Sequence, residues 1–194
     1  HSSADPTTLG GTAICGFSTV GSVGVIAMSH IIQTLDLDPM GTVLHPEFPA
    51  IALIHESVPK HPVRVYQGDG LGIFISEIQF PSQNDVHFGE TVLEWFTKGG
   101  FDRLIVIDGV VSNELGIKEE SDLWGVSSTA IGRDALDNSN IQRIQQGIVS
   151  GISGYLIAEG ERRGLDVTAL LAECNPMYPD ARAALLAIEG VCDL

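Results

Sequence analysis

Ile14-Cys15-Gly16-Phe17-Ser18-Thr19-Val20-Gly21-Ser22-Val23-Gly24-Val25-Ile26-Ala27 reads as a buried strand, a glycine turn and an apolar helix. Nucleotide-binding α/β folds use this arrangement to hold a phosphate, but the reactive parts are missing. A phosphate loop needs Lys-Ser/Thr directly after its second glycine, and here Ser22-Val23 follows Gly21. A dinucleotide fingerprint needs G-x-G-x-x-G, whereas the glycines fall at 16, 21 and 24. The segment is that of an α/β scaffold without the usual phosphate chemistry.

Working outward, the alternation continues. Thr12–Cys15 reads as the first strand and Val20–Leu35 as an interior helix, apolar almost all round. Asp36 to Gly41 reads as a loop in which Pro39 stops the helix. Short β-rich runs follow at Thr42–His45, Ile51–Glu56, Val63–Gln67 and Leu71–Glu77, and Asp69-Gly70 between the last two predicts a hairpin turn. His87–Lys98 has helical spacing and ends at Gly99-Gly100. Leu104–Ile107, closed by Asp108-Gly109, is the pattern of a central parallel strand. Leu123–Ala130 reads as a strand and Ile141–Arg163 as a helix interrupted by glycines. Thr168–Ala172 reads as a buried strand, and a last helix opens at Pro179-Asp180. The expected architecture is a three-layer α/β domain with a mixed β-sheet over residues 12–194, preceded by a flexible segment, residues 1–11.

Composition narrows the function. A chain of 194 residues can bury roughly 70 % of its unfolded surface without disulfides. The three cysteines, Cys15, Cys174 and Cys192, lie in or beside apolar runs and read as reduced core thiols, in keeping with a cytoplasmic setting. The formal charge of −15, with only Lys60, Lys98 and Lys118 as lysines, argues against nucleic acid and anionic lipid as partners. Such acidity fits a salt-rich cytoplasm or an ordinary acidic soluble protein. No run approaches the ~20 apolar residues of a membrane span, and the first residues lack the pattern of a signal peptide.

Four groups of residues together resemble the proteasome assembly chaperone family of the second-subunit type, widespread in archaea and actinobacteria. They are Gly16-Phe17 with Gly21 and Gly24; Phe48-Pro49-Ala50-Ile51-Ala52 with His61-Pro62-Val63-Arg64-Val65-Tyr66 and Ser76-Glu77-Ile78; Gly147-Ile148-Val149-Ser150-Gly151-Ile152-Ser153-Gly154-Tyr155-Leu156; and Leu170-Leu171-Ala172-Glu173 with Tyr178-Pro179-Asp180 and Ala183-Ala184. The resemblance implies a phosphorylase-like α/β fold, self-association into homo-oligomers, and action on proteasome α-subunits rather than catalysis. Archaeal members that engage the proteasome often end in a hydrophobic residue, a tyrosine and one final residue. This chain ends Val191-Cys192-Asp193-Leu194, a departure that weakens the expectation of tail docking.

No catalytic residue, cofactor or metal set is expected. The histidines His45, His55 and His61 match no zinc spacing, and no Gly-x-Ser-x-Gly elbow is present. A small-molecule cleft, in a binder or a hydrolase- or phosphorylase-like enzyme, is the alternative. It would lie at the carboxyl ends of the strands and involve Gly16, Phe17, Gly21, Asp108 and Glu173. Glycine packing against the sheet competes with anion binding at Gly21 and Gly24. The acids that close apolar runs, Glu56, Glu77, Asp108 and Glu173, either converge there or cap turns. The small residues from Gly147 to Gly154 read as a helix-contact face, or else as a wall shared with the first glycine loop. Phe48, Tyr66 and Tyr178 are candidate contact aromatics for another subunit, with core filling as the competing reading.

Overall fold

The computed structural model describes residues 10–111 and 122–194; residues 1–9 of the expected flexible segment lie outside them. The strands are β1 (Thr12–Phe17), β2 (Asp38–Thr42), β3 (Leu53–His55), β4 (Val58–Lys60), β5 (Val63–Gly68), β6 (Leu71–Ser76), β7 (Arg103–Val110), β8 (Leu123–Ser127), β9 (Gln142–Arg143) and β10 (Val167–Glu173). The helices are α1 (Val23–Thr34), α2 (Asp85–Lys98), α3 (Ala130–Asp137), α4 (Gly151–Arg163) and α5 (Ala181–Cys192). Among the described residues, eight strands form one mixed sheet in the order β2-β5-β6-β1-β7-β10-β8-β9, and β3 pairs only with β4. At its centre β6, β1, β7 and β10 run parallel, while β5 and β8 join them antiparallel.

Strand alternation divides the core into two layers. Ala13, Cys15, Phe74, Leu104, Val106 and Ala169 face α2 and α4, which bury Phe88, Val92, Leu93, Phe96 and Leu156 against them. Ile14, Ile73, Ile75, Ile105, Ile107 and Leu170 face α1 and α5, meeting Val23, Ala27, Met28, Ala183 and Ala187. Each fully buried aliphatic or aromatic side chain contributes about 1.5–3 kcal/mol, so these layers dominate the stability. The three-layer α/β expectation holds.

The first quoted stretch folds as read. β1 leads through a 3₁₀ turn, Val20–Ser22, into α1, and Gly21 takes φ 64° at the turn. A Cβ on Gly16 would stand 2.3 Å from the carbonyl oxygen of Gly24, and one on Gly24 would stand 2.7 Å from that of Ile107. These glycines let α1 lie directly on the sheet. The β5–β6 hairpin also forms, with Asp69 and Gly70 both at positive φ as a tight hairpin turn requires.

Elsewhere the chain departs from the expected boundaries. The strand expected at Thr42–His45 instead occupies Asp38–Thr42 and passes through Pro39. Proline is tolerated because β2 is the end strand of the sheet, with a bulge between Pro39 and Gly41. Residues 128–130 leave β8, and Thr129 accepts a hydrogen bond from the Gly132 amide to cap α3, a helix absent from the sequence reading. The helix expected from Ile141 begins only at Gly151, because Gln142–Arg143 pairs with β8 as β9. Pro179 precedes α5 rather than entering it; Asp180 is the cap and accepts from the Ala183 amide at 3.0 Å.

Candidate functional site

A cleft of about 460 Å³ opens at the carboxyl ends of the parallel strands. Its walls come from the Phe17–Val20 loop after β1, Ile78–Phe80 after β6, Asp108–Val110 at the end of β7, and Ile148–Ile152 leading into α4. Ligands of open α/β sheets bind at this edge. The lining mixes apolar side chains with Ser18, Thr19, Gln79, Ser82 and Ser150, and among the described residues it contains two carboxylates, Asp85 and Asp108, and no lysine, arginine or histidine.

Asp108 is the polar centre of this region. Its Oδ1 accepts from the Thr19 hydroxyl at 2.5 Å and from the Gly109 amide at 2.8 Å, and its Oδ2 accepts from the Ser153 hydroxyl at 2.6 Å. Burial raises its pKa above the ordinary carboxylate value, against the lowering effect of those three donors. Burial, reinforced by the Asp108 charge, likewise pushes the Cys15 thiol well up, so Cys15 is protonated and unreactive. Ser153 is itself buried, so its hydroxyl is not presented to the cleft. The arrangement binds β7, the first glycine loop and α4 together; it is a clamp more than a nucleophile with a free base. Asp85, at the start of α2, is raised by burial alone.

The structure brings only some of the expected residues together. Phe17 and Asp108 line the cleft, with Phe17 packed edge-on to Phe74 and Phe88. Gly16 lies beneath α1, and a Cβ on Gly21 would stand 2.7 Å from Cys174 Sγ, so both glycines serve close packing. Glu173 is two residues beyond Leu171, the partner of Asp108, and lines a separate open hollow with Asp122, Asn175, Tyr178 and Arg182. Glu56 sits in the β3–β4 turn, and Glu77 pairs with Arg64 at 2.6 Å and His55 at 3.4 Å. The acids therefore do not converge, and among the described residues no group of three or more His, Cys, Asp or Glu could hold a metal ion.

The small residues near α4 also sort differently from the helix-contact reading. Ile148 to Ile152 share a wall with the first glycine loop, and a Cβ on Gly154 would meet the Val149 carbonyl rather than another helix. Of the three candidate contact aromatics, Tyr178 is 63 % exposed and Phe48 is half-buried against Phe80 and Phe88. Tyr66 is only 6 % exposed and its hydroxyl accepts from Arg64 Nε, so it fills core and is not available to a second chain. Sequence reasoning missed Thr19, Ser153 and Arg64. Thr19 and Ser153 sit inside the two glycine-rich stretches, but 89 and 45 residues separate them from Asp108, and no spacing rule joins them.

Comparison with known proteins places this architecture in a family. The family described as the PAC2 family matches residues 13–194, and the chain belongs to it. The crystal structure of Pyrococcus furiosus PbaA, described as an archaeal homolog of proteasome-assembly chaperone, superposes with a TM-score of 0.82 at 27 % identity, covering 93 % of this chain and 79 % of that one. Pyrococcus furiosus PbaB, described as an archaeal proteasome activator, shares the fold with a TM-score of 0.77 at 23 % identity, covering 98 % and 85 %. An uncharacterised protein of Methanocaldococcus jannaschii is 25 % identical over 173 residues, which span 89 % of this chain and 70 % of that one. Among the described residues no helix is long and apolar enough to cross a membrane.

Proposed function

We propose that this chain is a non-catalytic, self-associating protein-binding module of the proteasome assembly type, acting on proteasome α-subunits in the cytoplasm. The observation that carries this reading is the match to PbaA along almost the whole chain. Asp108 supports it, since both of its oxygens are spent on internal donors rather than held ready for a substrate. With a formal charge of −15, the module would favour partners with basic or apolar faces. Affinity capture from a native lysate, read by mass spectrometry, tests it: proteasome α-subunits and untagged copies of the chain are the expected companions. Capture of neither would leave only family and fold.

A second reading is favoured by one observation, the 460 Å³ cleft whose walls combine apolar side chains with hydroxyls and two carboxylates. A cleft of that size suits a small molecule. Thermal-shift measurements with nucleosides, nucleotides and inorganic phosphate test it; a reproducible rise with one class supports it, and a flat response to all three removes it for these classes.

A further inference from the structure

We infer that the cleft at the carboxyl ends of the parallel strands receives a small organic cation, an ammonium group on an apolar body, with Asp85 as its counter-ion. The inference rests on the small-molecule reading above and names the class of ligand. Among the described residues, the cleft walls contain no lysine, arginine or histidine. Asp108 has both oxygens committed to Thr19, Gly109 and Ser153. Asp85 has no such company: among the described residues it meets neither a hydrogen-bond donor nor a cation, and burial alone raises its pKa. A half-buried carboxylate without a partner is poorly hydrated, so a cation gains more there than at a fully exposed acid.

Helix starts attract anions, and α2 and α4 both begin at this wall, yet neither offers an anion a free place. Asp85 is itself the first residue of α2, and a Cβ on Gly151, the first residue of α4, would stand 4.0 Å from its Oδ2. Both helix starts are thus already beside a fixed carboxylate, against which a phosphate or carboxylate ligand would be set. The formal charge of −15 biases the approach in the same direction. A divalent metal ion gathers about six or more oxygens, which one open carboxylate does not supply. An ammonium group needs only that carboxylate and a few neutral acceptors. Ser150 provides one of these, since it stands at the cap position of α4 but its side chain makes no capping bond. The rings of Phe17 and Phe80 in the walls suit the apolar body of the ligand and attract ammonium groups themselves.

The test is titration calorimetry of the full-length protein at neutral pH and ~0.15 M salt. Its probes are 2-phenylethylamine, 2-phenylethanol and phenylacetate, which share a ring and differ in charge. We expect the amine to bind ~10-fold or more tightly than either of the others, and Asp85→Asn to lose that advantage. Asp69→Asn, which removes one exposed charge at the opposite edge of the sheet, is expected to keep it. Circular dichroism identical to wild type shows that each variant is folded. Amine binding that survives in Asp85→Asn, or that Asp69→Asn weakens equally, is diffuse attraction to an acidic surface and overturns the inference. Equal or tighter binding of the alcohol or of phenylacetate also overturns it, while leaving the small-molecule reading in place. No heat from any probe overturns the inference, and together with flat thermal shifts for the three classes above it removes that reading as well. If Asp85→Asn does not fold, amide NMR shifts of the wild type decide: changes on adding the amine that centre on Ser18, Asp85 and Ser150 support the site, and changes centred elsewhere overturn it.

Discussion

In β7 the residues Leu104–Ile107 are buried on both faces, and even the carboxylate that follows them, Asp108, is met by three donors. In β2 every residue is exposed, and the neighbouring hairpin leaves Ile54 and Val58 in water. The same chain thus contains a region whose polar groups are satisfied internally and a region whose apolar groups are not. The first is what a domain needs to fold alone; the second is the kind of surface that a binding partner completes. The contrast assigns stability to the parallel centre and little of it to the outer segment, and mutations should separate the two.

The largest effect is expected at the centre. Gly16→Val places its side chain against the α1 backbone, which has no flexible end to move aside, and should cost about 3 kcal/mol or more or abolish folding. Urea unfolding of the purified variant checks this. Next comes the link between the regions: Glu77→Gln leaves the buried Arg64 guanidinium without its counter-charge and should cost about 3 kcal/mol, measured by the same method. A loss below ~1 kcal/mol would mean that the His61 carbonyl and the Tyr66 hydroxyl suffice for Arg64.

A smaller effect should follow pH. The folded-state pKa of Asp108 is raised, so the folded protein binds a proton more readily than the unfolded chain. Stability from this group is therefore present at low pH and falls as pH rises from the ordinary carboxylate value through the folded one. Asp108→Asn should flatten that fall in a series of unfolding curves; an unchanged slope would show that burial is not controlling the group. The smallest effect belongs to the outer segment. Ile54→Ser should change the stability of the isolated subunit by no more than ~0.5 kcal/mol, because its side chain touches little of its own body. A larger loss would place Ile54 in the core and erase the contrast.

The legible parts of the sequence were those where local chemistry and tertiary packing agree. The glycine turn into α1, the Asp69-Gly70 hairpin and the apolar run of β7 each carry their own signal and form as expected. The outer segment was less legible: Pro39 reads as a breaker unless it is known to lie on an end strand, a property of the whole sheet. The spacing of Ile141, Ile144 and Ile148 imitates a helix, but β8 offered Gln142–Arg143 a pairing edge that local pattern does not reveal. Of the site, Phe17 and Asp108 were found because a glycine turn and a strand-ending acid mark the carboxyl edge. Their hydrogen-bonding companions were not, because Thr19 and Ser153 reach Asp108 only through the fold.

That last point has a kinetic side. The Asp108 clamp joins segments far apart in the chain, so it cannot close until β7, the first loop and α4 have docked. Contacts made after the rate-limiting barrier slow escape from the native state without hastening arrival. Losing the Ser153 hydroxyl would thus shorten the lifetime of the folded molecule while leaving the speed of refolding nearly untouched, making this carboxylate a latch on persistence.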